Sequence, residues 1–242
     1  MKEKIKTIGL AHYFHPKRYS IFINPYFIAR YTLLREIKIF SNKFSGRSKR
    51  ILDVGCGIKP YEFLFKNSEY IGIDIEGGGH REEYKKVDKY FDGKNIPFQN
   101  DYFDLVICTQ VIEHTLEYEY LLKEIHRVLK KGGILLLTAP FVWNEHEVPH
   151  DFFRFTQYAH LNILKKLNFE TEYIKPSCGF FSTIGQLLSA FFIENLGTKN
   201  LIIKFLVSFL ICAPIQIFFI FWDKVFRNKW LTLDYFVIAR RL

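Results

Sequence analysis

A short apolar segment near residue 50 ends in residues suited to holding a nucleotide-like ligand. Residues 51–57 read ILDVGCG, so Asp53 precedes two glycines, Gly55 and Gly57, that have one residue between them. Glycine has no Cβ, so its backbone can approach a bound molecule closely at the carboxyl end of a parallel strand. Asp74 follows Gly57 by seventeen residues and closes the next predicted strand. A carboxylate there can accept both hydroxyls of an adenosine ribose.

The same turn disfavours a dinucleotide as the ligand. A dinucleotide site requires GxGxxG, and its third glycine position is Pro60 in this chain. No other GxGxxG occurs in the sequence. We therefore expect an adenosine-containing ligand other than NAD.

A second chemical motif, HEVPH at residues 146–150, matches the HExxH of zinc proteases. Two histidines four residues apart share a metal only on a helix. Pro149 lacks an amide hydrogen and clashes with the preceding turn, so we expect no helix here. The sequence predicts no metal site.

Strand and helix patterns from residue 50 onward predict an α/β fold with a parallel sheet covered on both faces. A helix is predicted at 117–130, ending at Gly132-Gly133, and another begins after Thr156 as its N-cap. The predicted strands are 51–55, 70–74, 85–88, 104–109, 134–139, 169–174 and 231–239.

Six short segments follow one another along the chain: LDVGCG at 52–57, GID at 72–74, DGKNIPF at 92–98, YFDLV at 102–106, VIEH at 111–114 and RVLKKGG at 127–133. In this order they resemble the class I S-adenosylmethionine-dependent methyltransferases, in particular the small-molecule branch called type 11. The resemblance implies S-adenosylmethionine as cofactor and a Rossmann-like seven-stranded sheet, mostly parallel with the last strand antiparallel. The chain departs from the family where Lys59-Pro60-Tyr61 replaces the usual third glycine.

The resemblance also implies roles for individual residues. The methionine end of the cofactor would meet the backbone of Gly55, Cys56 and Gly57, and Asp53 would order that turn. Asp74 would hold the ribose hydroxyls, and Asp92 would accept from the adenine amino group. Backbone near Thr109 would face the amino acid moiety. For each acid, a turn or N-cap carboxylate is the alternative interpretation, and Asp88 competes with Asp92 for the adenine amino group.

The acceptor is expected to bind beyond the fifth strand, where residues 140–154 place polar side chains between aromatic ones. Methyl transfer from a sulfonium is an in-line displacement, and a base is needed only for a hydroxyl acceptor. His146 is the first candidate base, and the alternatives are Glu145, His150 and Asp151. A purely structural loop network is an equal alternative for these side chains, and Glu113-His114 either lines the acceptor pocket or anchors a helix start.

An apolar helical insertion at 180–229 precedes the last strand and includes 205–222, an eighteen-residue run without charge. That run has the minimum length for a membrane span, yet the chain must return to the sheet, so an even number of crossings is required. The other candidate, 179–193, is short and polar in places. We therefore expect a shallow, in-plane or re-entrant membrane contact, with a buried helical cap or a dimer interface as the alternatives.

The N-terminal segment 1–49 is predicted to be a basic, aromatic helical extension to the methyltransferase domain at 50–179 plus 230–242. Residues 1–50 hold twelve Lys and Arg against two acids, which suits an anionic membrane surface or RNA. No secretory signal is recognised and the four cysteines form no CxxC pair, so the predicted location is cytoplasmic, peripheral or monotopic at the membrane.

Three functions remain open from the sequence. The leading one is methyl transfer to a small-molecule, glycan or lipid-linked acceptor at the membrane. The alternatives are an RNA methyltransferase that uses the basic arm and a non-catalytic, membrane-associated module of the same fold.

Overall fold

The computed structural model describes residues 13–44, 49–77, 82–198 and 200–242, and its centre is a seven-stranded sheet. The strand order is β3-β2-β1-β4-β5-β7-β6. From β3 to β5 the neighbouring strands pair in parallel, and β7 pairs antiparallel to β5. The predicted Rossmann-like fold is therefore confirmed. The strands are β1 (Arg50–Val54), β2 (Glu69–Asp74), β3 (Lys89–Tyr90), β4 (Phe103–Thr109), β5 (Leu129–Pro140), β6 (Phe169–Pro176) and β7 (Asp234–Arg241).

Six α-helices are described. Helix α3 begins as predicted, because the side chain of Thr156 caps it by accepting from the Ala159 amide. Between α5 and α6 the helix continues through a π-helical segment, Ser208–Cys212. The helices are α1 (Phe27–Phe44), α2 (Tyr118–Val128), α3 (Gln157–Lys166), α4 (Phe180–Leu196), α5 (Leu201–Val207) and α6 (Ala213–Phe226).

Three predicted boundaries are wrong. The last strand, predicted at 231–239, is β7 at 234–241. The third strand is β3 at 89–90 rather than 85–88. The Gly72 amide of β2 donates to the Asp88 side chain, so it is not available to pair with a backbone carbonyl of a strand at 85–88. The helix predicted to end at Gly132 ends at Val128 instead. Leu129 already pairs with Phe103, so the following lysines and glycines belong to the start of β5.

The chain divides into two compact units. We call Ile39–Lys175 with Asp234–Leu242 the sheet unit, and Met1–Lys38 with Pro176–Leu233 the helical unit. The predicted N-terminal extension, 1–49, is therefore divided, because its part up to Lys38 shares a unit with the apolar insertion and the rest belongs to the sheet unit. Residues 1–12 and 45–48, which carry part of the predicted basic extension, lie outside the described residues.

Two buried glutamines connect the N-terminal segment to the insertion within the helical unit. Gln186 of α4 and Gln216 of α6 are fully buried. Their side-chain oxygens accept from the amides of Ala29 and Ile28 at 3.1 and 3.2 Å, in the first turn of α1. The first amides of a helix have no partner within it, so these bonds satisfy groups that would otherwise need water. This explains why the N-terminal segment packs on the insertion.

The helical unit also exposes a long apolar surface. The continuous helix Leu201–Phe226 has 26 residues and contains an 18-residue window with a mean hydropathy of 2.3. In the described part of the chain it is the one helix long and apolar enough to cross a membrane. Large apolar side chains at helical spacing along it are exposed, including Phe205, Phe209, Phe218 and Phe221. We call these four side chains and their exposed apolar neighbours on 201–226 the apolar face.

Candidate functional site

The glycine turn after β1 adopts the conformation that its sequence predicts. Gly55 and Gly57 have φ of +68° and +48°, which side chains other than glycine adopt at a cost. A Cβ on Gly55 would lie 2.4 Å from a methyl carbon of Val111. The amides of Gly55 and Cys56 both donate to the carbonyl of Ile73, at 2.9 and 3.0 Å, so β2 holds the turn. The turn therefore requires Gly55 for both its backbone conformation and its packing.

Asp74 is tied to this turn. Its Oδ2 accepts from the Gly57 amide at 2.9 Å, and its Oδ1 accepts from the amide of Ile75 at 2.8 Å. An ionised carboxylate offers about four lone-pair positions, so two backbone bonds leave capacity for two further donors. The carboxylate thus keeps the acceptor positions that the hydroxyls of a ribose need.

A cavity of about 290 Å³ lies at the carboxyl edge of the sheet between these residues. Gly55, Asp74 and Asp92 line one part of it, and Val111 and His114 line another. Cavities of this kind, mainly apolar with a few convergent polar groups, are where small molecules bind. The residues present therefore fit an adenosine-containing cofactor, because an open backbone turn and a carboxylate face the same space.

The departure at Lys59-Pro60-Tyr61 leaves this cavity open. The Lys59 ammonium forms an ion pair with Asp88 and its stem packs where a Cβ on Gly72 would stand. Among the described residues that line the cavity, neither Lys59 nor Tyr61 occurs. The missing third glycine thus does not close the predicted site.

Asp92 and Thr109 lie at or beside the predicted cofactor position, and their roles stay predictions. Asp92 lines the cavity, but its carboxylate also accepts from the amides of Lys94 and Asn95 at 2.8 and 2.7 Å. These bonds, with one from the Asn95 side chain, hold the pKa of Asp92 below its usual value. The carboxylate therefore shapes a turn at the cavity edge. Thr109 ends β4, and Gln110, the next residue, lines the cavity.

Asp53 and Cys56 are buried in the sheet unit and are not among the described residues that line the cavity. The Asp53 carboxylate is buried and accepts from the Tyr70 hydroxyl at 2.6 Å. Burial raises the pKa of Asp53 to about 7, against the lowering effects of Tyr70 and Lys59. Cys56 is buried too, and burial raises the pKa of its thiol. Asp53 therefore fixes β1 against β2, and its predicted part in ordering the turn stays a prediction.

The loop after β5 holds the predicted acceptor-side residues. His146 Nδ1 lies 3.1 Å from Asp151 Oδ2, and Arg154 Nη2 donates to the same oxygen at 2.6 Å. The Arg154 bond holds the pKa of Asp151 well below its usual range. Burial, and then the neighbouring His114, lowers the pKa of His146, so this ring is neutral near pH 7. An ionised Asp151 therefore orients a neutral His146.

The two other candidate bases of this loop occupy different surroundings. His150 is exposed, and its backbone carbonyl accepts from His114 Nδ1 at 2.7 Å. Glu145 is exposed as well, and its neighbour Glu147 lines the cavity. Residues 147–150 form turns and bends and 146 has no regular structure, so no helix forms here, as Pro149 predicts. The HExxH pattern therefore does not place its two histidine rings on one helix face.

Glu113 and His114 form a 3₁₀ turn, Ile112–His114, next to the cavity. Glu113 is fully buried, and burial raises the pKa of its carboxyl well above the usual value. The His114 and His146 rings meet edge to face with centroids 4.6 Å apart. His114 thus lines the cavity and contacts the predicted acceptor loop, which the sequence left open.

Gln110 and Lys85 line the cavity but are not among the residues predicted from the sequence, and Glu147 is predicted only as part of the acceptor segment 140–154. For Gln110 a signal was present, because the first residue after a parallel strand lies at the edge of the sheet where ligands bind. Lys85 and Glu147 belong to loops, whose course follows from no sequence period.

Comparisons with known proteins agree with this geometry. A family model described as a methyltransferase domain matches residues 52–137. Malonyl-[acyl-carrier protein] O-methyltransferase of Legionella pneumophila is 28% identical over 127 residues, 47% of this chain and 44% of that protein. Demethylmenaquinone methyltransferase of Lysinibacillus sphaericus is 24% identical over 173 residues, 64% of this chain and 72% of that protein. In several curated relatives, the Legionella protein included, the chain spans about half of the relative's length.

A solved structure shows the same fold. The S-adenosylmethionine dependent methyltransferase from Mesorhizobium loti superposes with a TM-score of 0.52 at 14% identity, covering 84% of this chain and 96% of that one. At this identity the likeness concerns the fold alone.

Proposed function

We propose that the chain uses S-adenosylmethionine to methylate a small or lipid-linked acceptor at a membrane surface. Residues 52–137 match a methyltransferase domain, and methyltransferases are among the similar proteins. The family resemblance and the cofactor predicted from the sequence are confirmed at the level of this domain. The acceptor and the place of action are the proposal.

One observation carries the cofactor part of the proposal. The backbone turn at Gly55, where a Cβ would collide with Val111, and the Asp74 carboxylate line one cavity at the carboxyl edge of the sheet. S-adenosylmethionine, when bound, supplies an activated methyl group. The residues of this chain bind its adenosine part and orient it. Much of the rate of such a displacement comes from alignment and exclusion of water.

The acceptor class rests on the relatives and on the helical unit. The matched relatives are described as methylating malonyl-[acyl-carrier protein] and demethylmenaquinone, or as taking part in ubiquinone biosynthesis. The apolar face of the helical unit adds a surface suited to lipid, since a soluble monomer rarely exposes so large an apolar patch. Together they support a small acceptor that is dissolved in, or anchored to, a membrane.

The cofactor part is tested by calorimetric titration of the full chain with S-adenosylmethionine. We expect Asp74→Asn to weaken binding roughly 10- to 150-fold, because a hydrogen bond to a charged group contributes about 1.5–3 kcal/mol. Asp104→Asn is the matched control, because Asp104 lies at the opposite end of the same sheet and binds the Arg50 amide and Lys130. It should leave the affinity unchanged. No heat from the wild type would favour the non-catalytic module.

The acceptor part is tested with radiolabelled methyl donor and a bacterial membrane lipid extract. Label that moves into the organic phase with the wild type, and not with Asp74→Asn, supports a lipid acceptor. Label that stays in water-soluble products would contradict it.

A further inference from the structure

Three side chains from two loops converge beside the cofactor cavity. They are Glu113 and His114 of the turn after β4, and His146 of the loop after β5. One ligand atom from each lies within 4.8 Å of the other two, and His114 Nε2 is 3.9 Å from Glu113 Oε1. Since His114 also lines the cavity, the cluster faces the space in which an acceptor would bind.

Both histidines engage the same ring nitrogen, Nδ1, in a hydrogen bond to a neighbouring oxygen. A carbonyl oxygen only accepts, so His114 Nδ1 carries the hydrogen that it donates to the His150 carbonyl. His146 Nδ1 likewise donates to the Asp151 carboxylate, which Arg154 holds in place. With each Nδ1 engaged in this way, Nε2 is the ring nitrogen left for a ligand. This is the arrangement that orients metal-binding histidines in known proteins.

The third member of the cluster has an unmet need for a partner. Glu113 is fully buried, and in the described part of the chain neither carboxylate oxygen accepts a hydrogen bond from another residue. A buried polar group without a hydrogen-bond partner destabilises the folded state. Such groups are rare in native structures, and a bound ion or a functional role often accounts for them. A cation between the three side chains would meet that need.

We propose that Glu113, His114 and His146 bind one divalent transition metal ion. Two imidazoles and one carboxylate suit zinc, iron(II) or cobalt(II), whereas magnesium and calcium prefer oxygen ligands throughout. An inward movement of about 0.7 Å or less per ligand atom brings all three to the roughly 2.1 Å that such ions require. The proposed site differs from the HExxH pattern, because the His150 ring is not one of its ligands. His150 instead accepts a hydrogen bond from His114 Nδ1 with its backbone carbonyl.

The metal has a role in the methyl transfer proposed above, and this step rests on that proposed function. Three protein ligands leave coordination positions open for an oxygen of the acceptor. Binding to the metal lowers the pKa of an acceptor hydroxyl, which then loses its proton to water. The oxygen lone pair forms the bond to the methyl carbon, and the carbon–sulfur bond breaks with its electrons staying on sulfur. The substrate class is therefore a hydroxyl-bearing acceptor.

Cobalt(II) titration of the full chain, first freed of metal by a chelator, tests the site without cofactor or acceptor. We expect about one ion per chain and a visible absorption band typical of low-coordinate cobalt. His114→Gln, His146→Gln and Glu113→Gln should each weaken cobalt binding by roughly 100-fold or more, and Asp151→Asn by about 10- to 100-fold. Glu113→Gln preserves side-chain volume, so its fold should persist.

His150→Gln is the matched control. It alters a histidine of the same loop whose ring lies outside the cluster, so its cobalt affinity should stay within about threefold of the wild type. No cobalt band in the wild type, or an equal loss in His150→Gln, would overturn the proposal. Because the titration contains no S-adenosylmethionine, its failure is distinct from failure of the proposed methyl transfer. Calorimetry of Glu113→Gln and His146→Gln with S-adenosylmethionine, expected to be unchanged, confirms that the variants are folded.

Discussion

The sheet unit and the helical unit use apolar side chains in opposite ways. In the sheet unit, Leu135, Leu136 and Leu137 of β5 are completely buried. In the helical unit, Phe218 and Phe221 of α6 are 55% and 57% exposed. Both segments read as uninterrupted apolar runs in the sequence. An apolar run therefore shows that a segment avoids water, but its neighbours decide whether protein covers it.

The difference follows from the number of neighbours that each element has. Strand β5 lies between β4 and β7, and a parallel strand in the middle of such a sheet is covered on both faces. A helix packed on one side buries only a stripe of its surface. On α6 that side meets α4, where Gly185 lies so close that a Cβ would stand 2.5 Å from Phe219. The opposite side of α6 is left for another partner, and we propose that this partner is lipid.

The sharpest test of this difference is to place charge on the apolar face. We expect the double variant Phe218→Asp with Phe221→Asp to lower partitioning into vesicles of phosphatidylglycerol and phosphatidylcholine by at least about 100-fold. Burying a phenylalanine contributes roughly 1.5–3 kcal/mol, and two are lost. The measurement is co-sedimentation of the full chain with the vesicles over a range of lipid concentrations.

Tyr158→Asp provides the control, because Tyr158 is an aromatic residue of the sheet unit that is 72% exposed. It should bind vesicles as the wild type does. If the double variant also kept wild-type vesicle binding, the apolar face would not contact lipid. A simultaneous change from dimer to monomer would then identify this face as an interface between copies, the alternative that the sequence left open.

The two sides of the candidate site differ in how far the sequence could predict them. Gly55 and Asp74 end neighbouring parallel strands, and the carboxyl ends of such strands meet at one edge, so the strand pattern alone brings them together. Glu113 and His146 belong to loops thirty-three residues apart. They follow the neighbouring parallel strands β4 and β5, so the strand pattern predicts the same edge of the sheet for both. The approach of their side chains to within ligand distance of one another required the structure.

The sheet unit also buries a titratable carboxyl, that of Asp53, so its stability depends on pH. Burial raises the pKa of Asp53 from 3.8 to about 7 in the folded chain. Between about pH 4 and pH 7 the folded chain therefore holds a proton that the unfolded chain has released, so stability falls as pH rises. Relative to the wild type, Asp53→Asn should gain on the order of 3–4 kcal/mol of unfolding free energy across this interval. Urea unfolding at a series of pH values measures the difference.

For Asp104→Asn, the unfolding free energy relative to the wild type should change with pH in the direction opposite to that of Asp53→Asn. Hydrogen bonds from Lys130 and the Arg50 amide lower the pKa of Asp104 despite its partial burial. The wild type therefore loses this contribution as pH falls toward the pKa of Asp104, and the variant has none to lose. Equal pH profiles for the wild type and Asp53→Asn would show that Asp53 does not hold a proton in the folded chain.

The smallest expected difference concerns two helices that begin with the same kind of cap, one in each unit. Thr156 Oγ1 accepts from the Ala159 amide at 3.1 Å at the start of α3, and Asn200 Oδ1 accepts from the Ile202 amide at 2.9 Å at the start of α5. Replacing such a cap with alanine costs about 1 kcal/mol when the whole helix must unfold with the protein. We expect that full cost, by urea unfolding, for Thr156→Ala.

Asn200→Ala should cost only a few tenths of a kcal/mol, because an exposed helix end can fray locally without disturbing the rest of the fold. His160 buries its ring in the first turn of α3, whereas Leu201 and Ile202 at the start of α5 are 70% and 69% exposed. Fraying of α3 would expose His160, but fraying of α5 exposes little that was covered. Bound lipid would oppose fraying of α5, because unwinding its first turn would then return inserted apolar side chains to water. Hydrogen exchange at the Ile202 amide should therefore slow when vesicles are added, and a rate that stays unchanged would separate the start of α5 from the membrane-contacting surface.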